Sequence, residues 1–285
     1  MTTIDKLLNL FRYNNEAIIL LAYVINKNKE FVLAHPEYKL HKNHTTRFKK
    51  CIKELNNHKP LSYITRNKEF YNLSYYVNHN TLIPRPETES IVDFALKYIS
   101  SSANKKIRVF EIGTGSGCIS ISILANTTNC IIESIDKSEK ALYVARLNRS
   151  KILNGKERKN LHFKNKDIFE YSPEKHFDLV LSNPPYIPTE EYKKLPLTIF
   201  NFEPKEALDG GKDGMDIYKR IATLLNTILS KHGLCILEIN SDYYKQISDI
   251  FSTRWYTKLI KDYQGLNRFI LIAHKPSVIE HYSLL

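Results

Sequence analysis

The feature that most constrains this chain is a strand-like apolar run at 107–112 that passes directly into Gly113-Thr114-Gly115-Ser116-Gly117. A helical segment, 118–125, follows at once. Alternate glycines let the backbone turn sharply and let a ligand approach the main chain, as nucleotide-like ligands do at the carboxyl edge of a parallel sheet. Alone, G-x-G-x-G also serves simply to join a strand to a helix. Here the surrounding chain repeats the pattern. Strand-like runs at 130–135, 161–165, 177–181 and 234–239 alternate with helical segments at 139–148 and 218–229, and two more runs close the series at 257–261 and 268–273. Ser138 is the expected N-cap of the 139–148 helix, whose apolar stripe is Ala141, Val144 and Ala145. Repeated β-α-β-α order predicts an α/β fold with a doubly wound, mostly parallel sheet.

The first part of the chain reads differently. Apolar residues recur at helical spacing in Ile4-Leu7-Leu8-Phe11, across 17–25 and in Phe48-Cys51-Ile52-Leu55, with Pro36 and Pro60 as punctuation. Between 63 and 83 short aromatic and β-branched stretches, Glu69-Phe70-Tyr71 and Tyr75-Tyr76-Val77, predict a hairpin or linker. The expected organisation is a small helical domain at 1–60, a hairpin or linker at 61–83, the α/β domain at 84–275 and a tail at 276–285 with no readable pattern. A chain of 285 residues that is 42% hydrophobic has enough apolar material for this.

Its longest apolar run, 17–25, is far short of the roughly 20 residues a bilayer span requires. No secretory or transit pattern opens the sequence, so the expected compartment is cytoplasmic. The four cysteines, Cys51, Cys118, Cys130 and Cys235, form no C-x-x-C pair and sit among apolar neighbours. They read as small buried hydrophobes in a reducing compartment rather than as metal or disulfide sites. A formal charge of +12 has two equal accounts. It can favour an anionic partner, or follow from the Lys-, Asn- and Ile-rich composition that AT-rich coding produces.

Three further positions carry chemistry. Asp136 stands at the tip of the second strand, where a carboxylate can take two ribose hydroxyls; its plain alternative is a helix-start acid beside Ser138. Asp167 ends the third strand, where an acceptor can take an exocyclic amine, or it is a turn residue before Ile168-Phe169. The fourth strand ends abruptly in Asn183-Pro184-Pro185-Tyr186. Pro184 keeps Asn183 out of helical geometry, and two prolines remove two backbone donors. The result is a rigid corner rich in acceptors, with a side-chain carbonyl at Asn183 and a flat face at Tyr186, suited to gripping a planar NH2 group.

These features together resemble the class I S-adenosylmethionine-dependent methyltransferases, and among them the amino-methyltransferases with an N-P-P-Y motif. The segment Leu82-Ile83-Pro84-Arg85-Pro86-Glu87-Thr88-Glu89 is similar to the L-I-P-R-P-E-T-E stretch of the release factor glutamine methyltransferases (PrmC/HemK family). Pro60-Leu61-Ser62-Tyr63-Ile64, Glu203-Pro204, Ala207-Leu208, Gly210-Gly211, Asp213-Gly214, Tyr218, Asp262, Gly265 and Arg268 agree with the same family. The resemblance implies a seven-stranded, Rossmann-like methyltransferase sheet with a helical N-terminal domain that helps to contact the substrate. It implies that Gly113, Thr114, Gly115, Ser116 and Gly117 hold the methionine moiety of S-adenosyl-L-methionine, that Asp136 takes the ribose, that Asp167 and Ile168 lie beside the adenine, and that Asn183 is also among the cofactor-binding residues. Asn183, Pro184, Pro185 and Tyr186 would bind the amide that receives the methyl. The implied reaction is N5-methylation of the glutamine in the Gly-Gly-Gln motif of class I peptide chain release factors. The alternative within the wider class is an amino-methyltransferase acting on nucleic acid, at adenine N6 or guanine N2. Direct nucleic-acid binding is not required by the first reading, though the positive charge is compatible with weak nonspecific binding.

Two positions depart from the family pattern. Asn67 stands where a glycine is common, which bears on the hairpin, and Ile168 replaces an aromatic residue beside the adenine. In 82–89, Pro86 suits the first turn of a helix whose apolar face includes Ile91, Phe94 and Ala95, with Glu87 and Glu89 near its positive end. That account leaves Arg85 without a role.

Overall fold

The computed structural model describes residues 2–11, 14–102, 105–262, 264–280 and 282. Two compact units are present: 1–67 together with 196–202, and 68–195 together with 203–285.

The first unit is helical, with helices Ile4–Leu10, Asn15–Ile25, Lys29–Ala34, Lys42–Asn56 and Leu61–Thr65. Thr3, Asn14 and Asn28 each cap the helix that follows by accepting a backbone N–H in its first turn. Leu7, Leu8, Leu20, Leu21, Val24 and Phe48 meet in its core. The three stretches read at helical spacing fall on these helices, and a short antiparallel pairing joins Thr2–Thr3 to Lys39–Leu40. The left-handed residue in this unit's last turn is Arg66 (φ 55°) rather than Asn67, so the local backbone does not demand glycine at 67.

The second unit opens with the expected hairpin, Lys68–Phe70 against Leu73–Tyr75, turning at Tyr71 and Asn72, both at positive φ. Its main sheet has seven strands, labelled here β1 (Ile107–Ile112), β2 (Cys130–Asp136), β3 (Leu161–Asn165), β4 (Phe177–Ser182), β5 (Leu229–Glu238), β6 (Tyr256–Lys261) and β7 (Asn267–Ala273). The order across the sheet is β6-β7-β5-β4-β1-β2-β3, parallel from β5 to β3, with β7 antiparallel to β5 and β6 antiparallel to β7. The helices used below are α1 (Glu89–Ser101), α2 (Cys118–Asn126), α3 (Glu139–Ile152), α4 (Asp216–Ile228) and α5 (Tyr244–Ser252).

Side-chain alternation along each strand divides the core between the two faces of the sheet. Val109, Leu179, Leu181 and Ile236 pack with Phe94, Ala95 and Ile121 of α1 and α2. Phe110, Val180, Cys235 and Leu237 pack with Ile221, Leu225 and Phe251 of α4 and α5. The sheet is therefore doubly wound, as expected.

Three expectations need correction. β5 begins at Leu229, not 234, because Leu229 pairs with Phe177 of β4; Ser230-Lys231-His232-Gly233 then bulges out before pairing resumes at Leu234 with Leu179. α5 was not foreseen, although Ile247 and Phe251 are both fully buried one helical turn apart. The tail was expected to be uninformative, yet Ile279 and Tyr282 are buried in the first core cluster, where Tyr282 meets Phe94 edge to face. Residues 281 and 283–285 of that tail lie outside the described residues.

Candidate active site

Chain order reverses between β1 and β4, which are neighbours although two strands separate them in sequence. Ile112 and Ser182 are in register at their carboxyl ends. Gly113 and Asn183 therefore leave the sheet side by side, and a Cβ on Gly113 would stand 4.0 Å from the Asn183 carbonyl oxygen. A cavity of about 670 Å³ opens over this switch point, where open α/β sheets bind their ligands.

The glycine loop forms one wall. Gly113, Gly115 and Gly117 all have positive φ (80°, 55° and 80°), which the glycine backbone adopts without a Cβ penalty. They do different work. A Cβ on Gly115 would meet nothing in the protein, so that side of the loop is open to a ligand. A Cβ on Gly117 would stand 2.8 Å from Ile121 and 3.2 Å from Ala145, so Gly117 lets the turn pack against α2 and α3. Gly113, Thr114, Gly115 and Ser116 line the cavity. The Thr114 hydroxyl is buried and has no hydrogen-bond partner among the described residues. A buried hydroxyl of this kind has bonding capacity left for a water or a ligand.

Asp136 faces the same cavity from the end of β2. Its Oδ2 accepts the Gly115 N–H at 2.8 Å and its Oδ1 accepts the Ser138 N–H at 2.9 Å. Burial pushes its pKa up, against these two bonds and Lys137, which pull it down. The side chain braces the helix start, the plain alternative read from the sequence, and keeps a second lone pair on each oxygen. Asp167 and Ile168 line the cavity further along. Asp167 Oδ1 accepts the Phe169 N–H at 2.9 Å in its own turn. Ile168 is buried, and its carbonyl accepts from the Arg220 guanidinium at 2.8 Å, so the loop is held from α4.

Asn183, Pro184 and Pro185 form the opposite wall. Asn183 Nδ2 donates to Thr88 Oγ1 at 3.1 Å, which leaves Oδ1 as the end available to a ligand. Tyr186 turns into the second core cluster, where burial raises its phenol to about 12, with Glu238 as the next cause. Gly210 and Gly214 brace the corner from behind. A Cβ on Gly210 would stand 2.7 Å from the Pro185 carbonyl oxygen, and one on Gly214 only 2.5 Å from that of Tyr186.

Known proteins with this arrangement can be identified by sequence. Residues 89–211 match the family model described as methyltransferase small domain, and residues 10–65 match the PrmC N-terminal domain. The release factor glutamine methyltransferase of Clostridium acetobutylicum is 35% identical over 263 residues, covering 91% of this chain and 90% of the relative. That of Thermodesulfovibrio yellowstonii is 35% identical over 285 residues, covering 98% of this chain and 100% of the relative. The chain belongs to the release factor glutamine methyltransferase family. Among solved structures, the catalytic domain of hMettl16 in complex with the MAT2A 3′UTR hairpin 6 superposes with a TM-score of 0.56 at 13% identity, covering 90% of this chain and 92% of that one. At that identity the likeness concerns the fold.

In this member of the family, the segment 82–89 acquires physical roles that its sequence did not supply. Arg85 Nη2 pairs with Glu203 Oε1 at 2.6 Å, and Glu203 Oε2 accepts the Ile83 N–H at 3.1 Å, so a buried carboxylate ties the segment to the 203–209 loop. Leu82, Pro84, Arg85 and Thr88 line the cavity. Glu89 Oε1 accepts the Tyr71 N–H at 2.9 Å and fixes the hairpin turn. Pro86 starts a short 3₁₀ turn, Pro86–Thr88, that runs into α1. Asp262 takes the N–H groups of Gln264 and Leu266 and the guanidinium of Arg268, a turn closed around one carboxylate.

Four residues that matter here were missed from the sequence. Thr88, from a distant part of the chain, accepts from Asn183, and Glu238 in turn accepts from Thr88. Asn148 of α3, fully buried, accepts the Tyr76 N–H at 2.7 Å and donates to the carbonyls of Tyr76 and Ser116, holding the glycine loop. A polar residue in an otherwise apolar helix stripe was its only signal. Glu111, the last acid of β1, is fully buried, accepts from Ser134 Oγ, and is lifted to about 7, chiefly by burial.

Proposed function

We propose that this chain transfers one methyl group from S-adenosylmethionine to the side-chain amide nitrogen of the glutamine in the Gly-Gly-Gln motif of class I peptide chain release factors. The observation that carries this reading is the Asn183-Pro184 corner, with the Asn183 amide oriented by Thr88 so that its carbonyl oxygen is free beside the cavity.

The residues present fit the cofactor. The open side of Gly115 accepts close approach, the unpartnered Thr114 hydroxyl offers a buried donor and acceptor, and the remaining lone pairs of Asp136 suit a ribose diol. Asp167 and Ile168 would flank the adenine. When bound, S-adenosylmethionine supplies an electrophilic methyl on a sulfonium centre.

A glutamine amide is a weak nucleophile because its nitrogen lone pair is delocalised into the carbonyl. Asn183 Oδ1 and the Pro184 carbonyl would each accept one of its N–H bonds. Pro184 is buried and lacks a backbone donor, so it brings no competing N–H of its own to that corner. Two fixed acceptors orient the nitrogen and favour a more localised lone pair, so the chain contributes position and polarisation. No strong base is required, because the methylated nitrogen loses its proton readily to water or a neighbouring carbonyl.

The helical unit at 1–67, with the segment 196–202, is the part we assign to docking the release factor. The test of the whole reading is incubation of the purified chain with labelled S-adenosylmethionine and, in parallel, a class I release factor, DNA and ribosomal RNA. Label confined to the release factor supports it. Label on nucleic acid alone would favour an amino-methyltransferase of the other kind.

A further inference from the structure

Glu238 lies at the carboxyl end of β5, buried to 3% exposure, and its Oε2 accepts the Thr88 hydroxyl at 2.6 Å. Thr88 Oγ1 in turn accepts Asn183 Nδ2 at 3.1 Å. A hydroxyl has one proton to give. An ionised carboxylate can only accept, so the Thr88 proton is committed to Glu238 and its lone pairs face a donor. The two ends of the Asn183 amide have nearly the same shape. The direction of this hydrogen-bond chain decides which end reaches the cavity.

We propose that Glu238 and Thr88 are positioning residues that fix the rotamer of the Asn183 amide, keeping its carbonyl oxygen turned toward the nitrogen to be methylated. This rests on the reading of Asn183 as an acceptor given under Proposed function.

The same chain can run in reverse. A protonated Glu238 donates to Thr88 Oγ1, the Thr88 proton then points at Asn183, and the matching amide orientation has Oδ1 toward Thr88. The NH2 group then faces the substrate N–H bonds, donor against donor. Burial lifts the Glu238 carboxyl to about 7, opposed by the Thr88 hydroxyl, Arg268 and Arg85 and assisted by Glu87. The groups that face it come from each element around it: Arg85, Glu87 and Thr88 ahead of α1, Arg268 on β7, Tyr186 after β4, and Tyr218 of α4, whose hydroxyl donates to the Glu238 carbonyl oxygen. The direction of the chain is therefore set around neutral pH, with the ionised form active.

The test uses the full chain and an intact class I release factor, measuring kcat and KM from pH 6 to 9 and S-adenosylmethionine affinity by calorimetry. Thr88→Val keeps the shape and removes the hydroxyl. It should lose about 10- to 100-fold in kcat/KM, mostly in kcat, with cofactor affinity within about twofold of wild type. Thr88→Ser should recover to within about threefold. The wild-type rate should fall below about pH 7, and Glu238→Gln, which cannot titrate, should be slower but flat across that range. The proposal is overturned if Thr88→Val transfers methyl at the wild-type rate, if Thr88→Ser is as impaired as Thr88→Val, if cofactor affinity falls in step with rate, or if the acid limb survives in Glu238→Gln. If the wild type modifies nucleic acid and not the release factor, the substrate reading fails, and the same variants on that acceptor decide the relay.

Discussion

The backbone N–H of Gly115 donates to Asp136 Oδ2 at 2.8 Å, so the middle of the glycine loop hangs on the carboxylate at the tip of β2. Because Oδ1 also takes the Ser138 N–H at 2.9 Å, one side chain sets the loop, starts α3 and faces the cavity. Asp136→Ala should weaken S-adenosylmethionine binding by on the order of 10- to 100-fold, from charged hydrogen bonds of about 1.5 to 3 kcal/mol. Asp136→Asn keeps one acceptor and should fall between. Calorimetry on the folded variants decides; an unchanged dissociation constant in Asp136→Ala removes Asp136 from the ribose site.

Gly214→Ala should damage the acceptor corner without touching the cofactor wall. Its Cβ would stand 2.5 Å from the Tyr186 carbonyl oxygen at a φ of +76°, and backbone cannot yield as a side chain can. We expect methyl transfer to fall at least about tenfold, with cofactor affinity retained. Gly265→Ala is the control. It also sits at positive φ (+80°) but meets nothing within 4 Å, so it should cost only about 1 to 2 kcal/mol of stability and leave the rate intact. Equal rates for the two variants would disconnect the 210–214 loop from catalysis.

Glu111 gives a stability signature. Its folded pKa, about 7, lies above the ordinary 4.5 because it is buried, so the folded state takes up a proton that the unfolded state releases. The stability associated with that proton is complete below about pH 4.5 and is lost as pH rises through about 7. Glu111→Gln should therefore melt higher than wild type at pH 8, by an increment corresponding to about 1 to 2 kcal/mol after some loss at the Ser134 contact. The difference should shrink toward pH 5. Thermal melts of the cofactor-free protein at the two pH values check this, and a constant difference would contradict it.

Removal of residues 1–67 should leave S-adenosylmethionine binding within a fewfold, because the glycine loop, Asp136 and Asn183 all belong to the second unit. Methylation of an intact release factor should fall by more than about tenfold, while a short Gly-Gly-Gln peptide is affected less. Full-rate methylation of the whole release factor by the truncated chain would show that the helical unit is not a docking element.

What could be read from the sequence was what is local. β1 and β3 were placed with their observed ends because each is a short apolar or alternating run with a clear stop, Gly113 after one and Lys166-Asp167 after the other. The glycine loop, Asp136 and the Asn183-Pro184 corner were legible because their backbone demands are written in residue types. The start of β5 was not, since Ser230-Lys231-His232-Gly233 carries no apolar signal and bulges out between the pairs that Leu229 and Leu234 make with β4. The partners of Asn183 were invisible for a related reason. Thr88 is 95 residues from Asn183 and 150 from Glu238, and only the closed fold brings the three together. Arg85 likewise had no reading until Glu203, 118 residues on, was seen beside it.

The most direct test of the central claim is mass spectrometry of the release-factor peptide bearing Gly-Gly-Gln after reaction with wild-type protein and with Asn183→Ala. Losing one oriented acceptor in a desolvated site costs roughly 2.7 to 4 kcal/mol, about 10²- to 10³-fold in rate. The account predicts one added methyl on the glutamine with wild type and almost none with Asn183→Ala, whose fold and cofactor affinity are retained. Glutamine methylation at the wild-type rate by Asn183→Ala would contradict it.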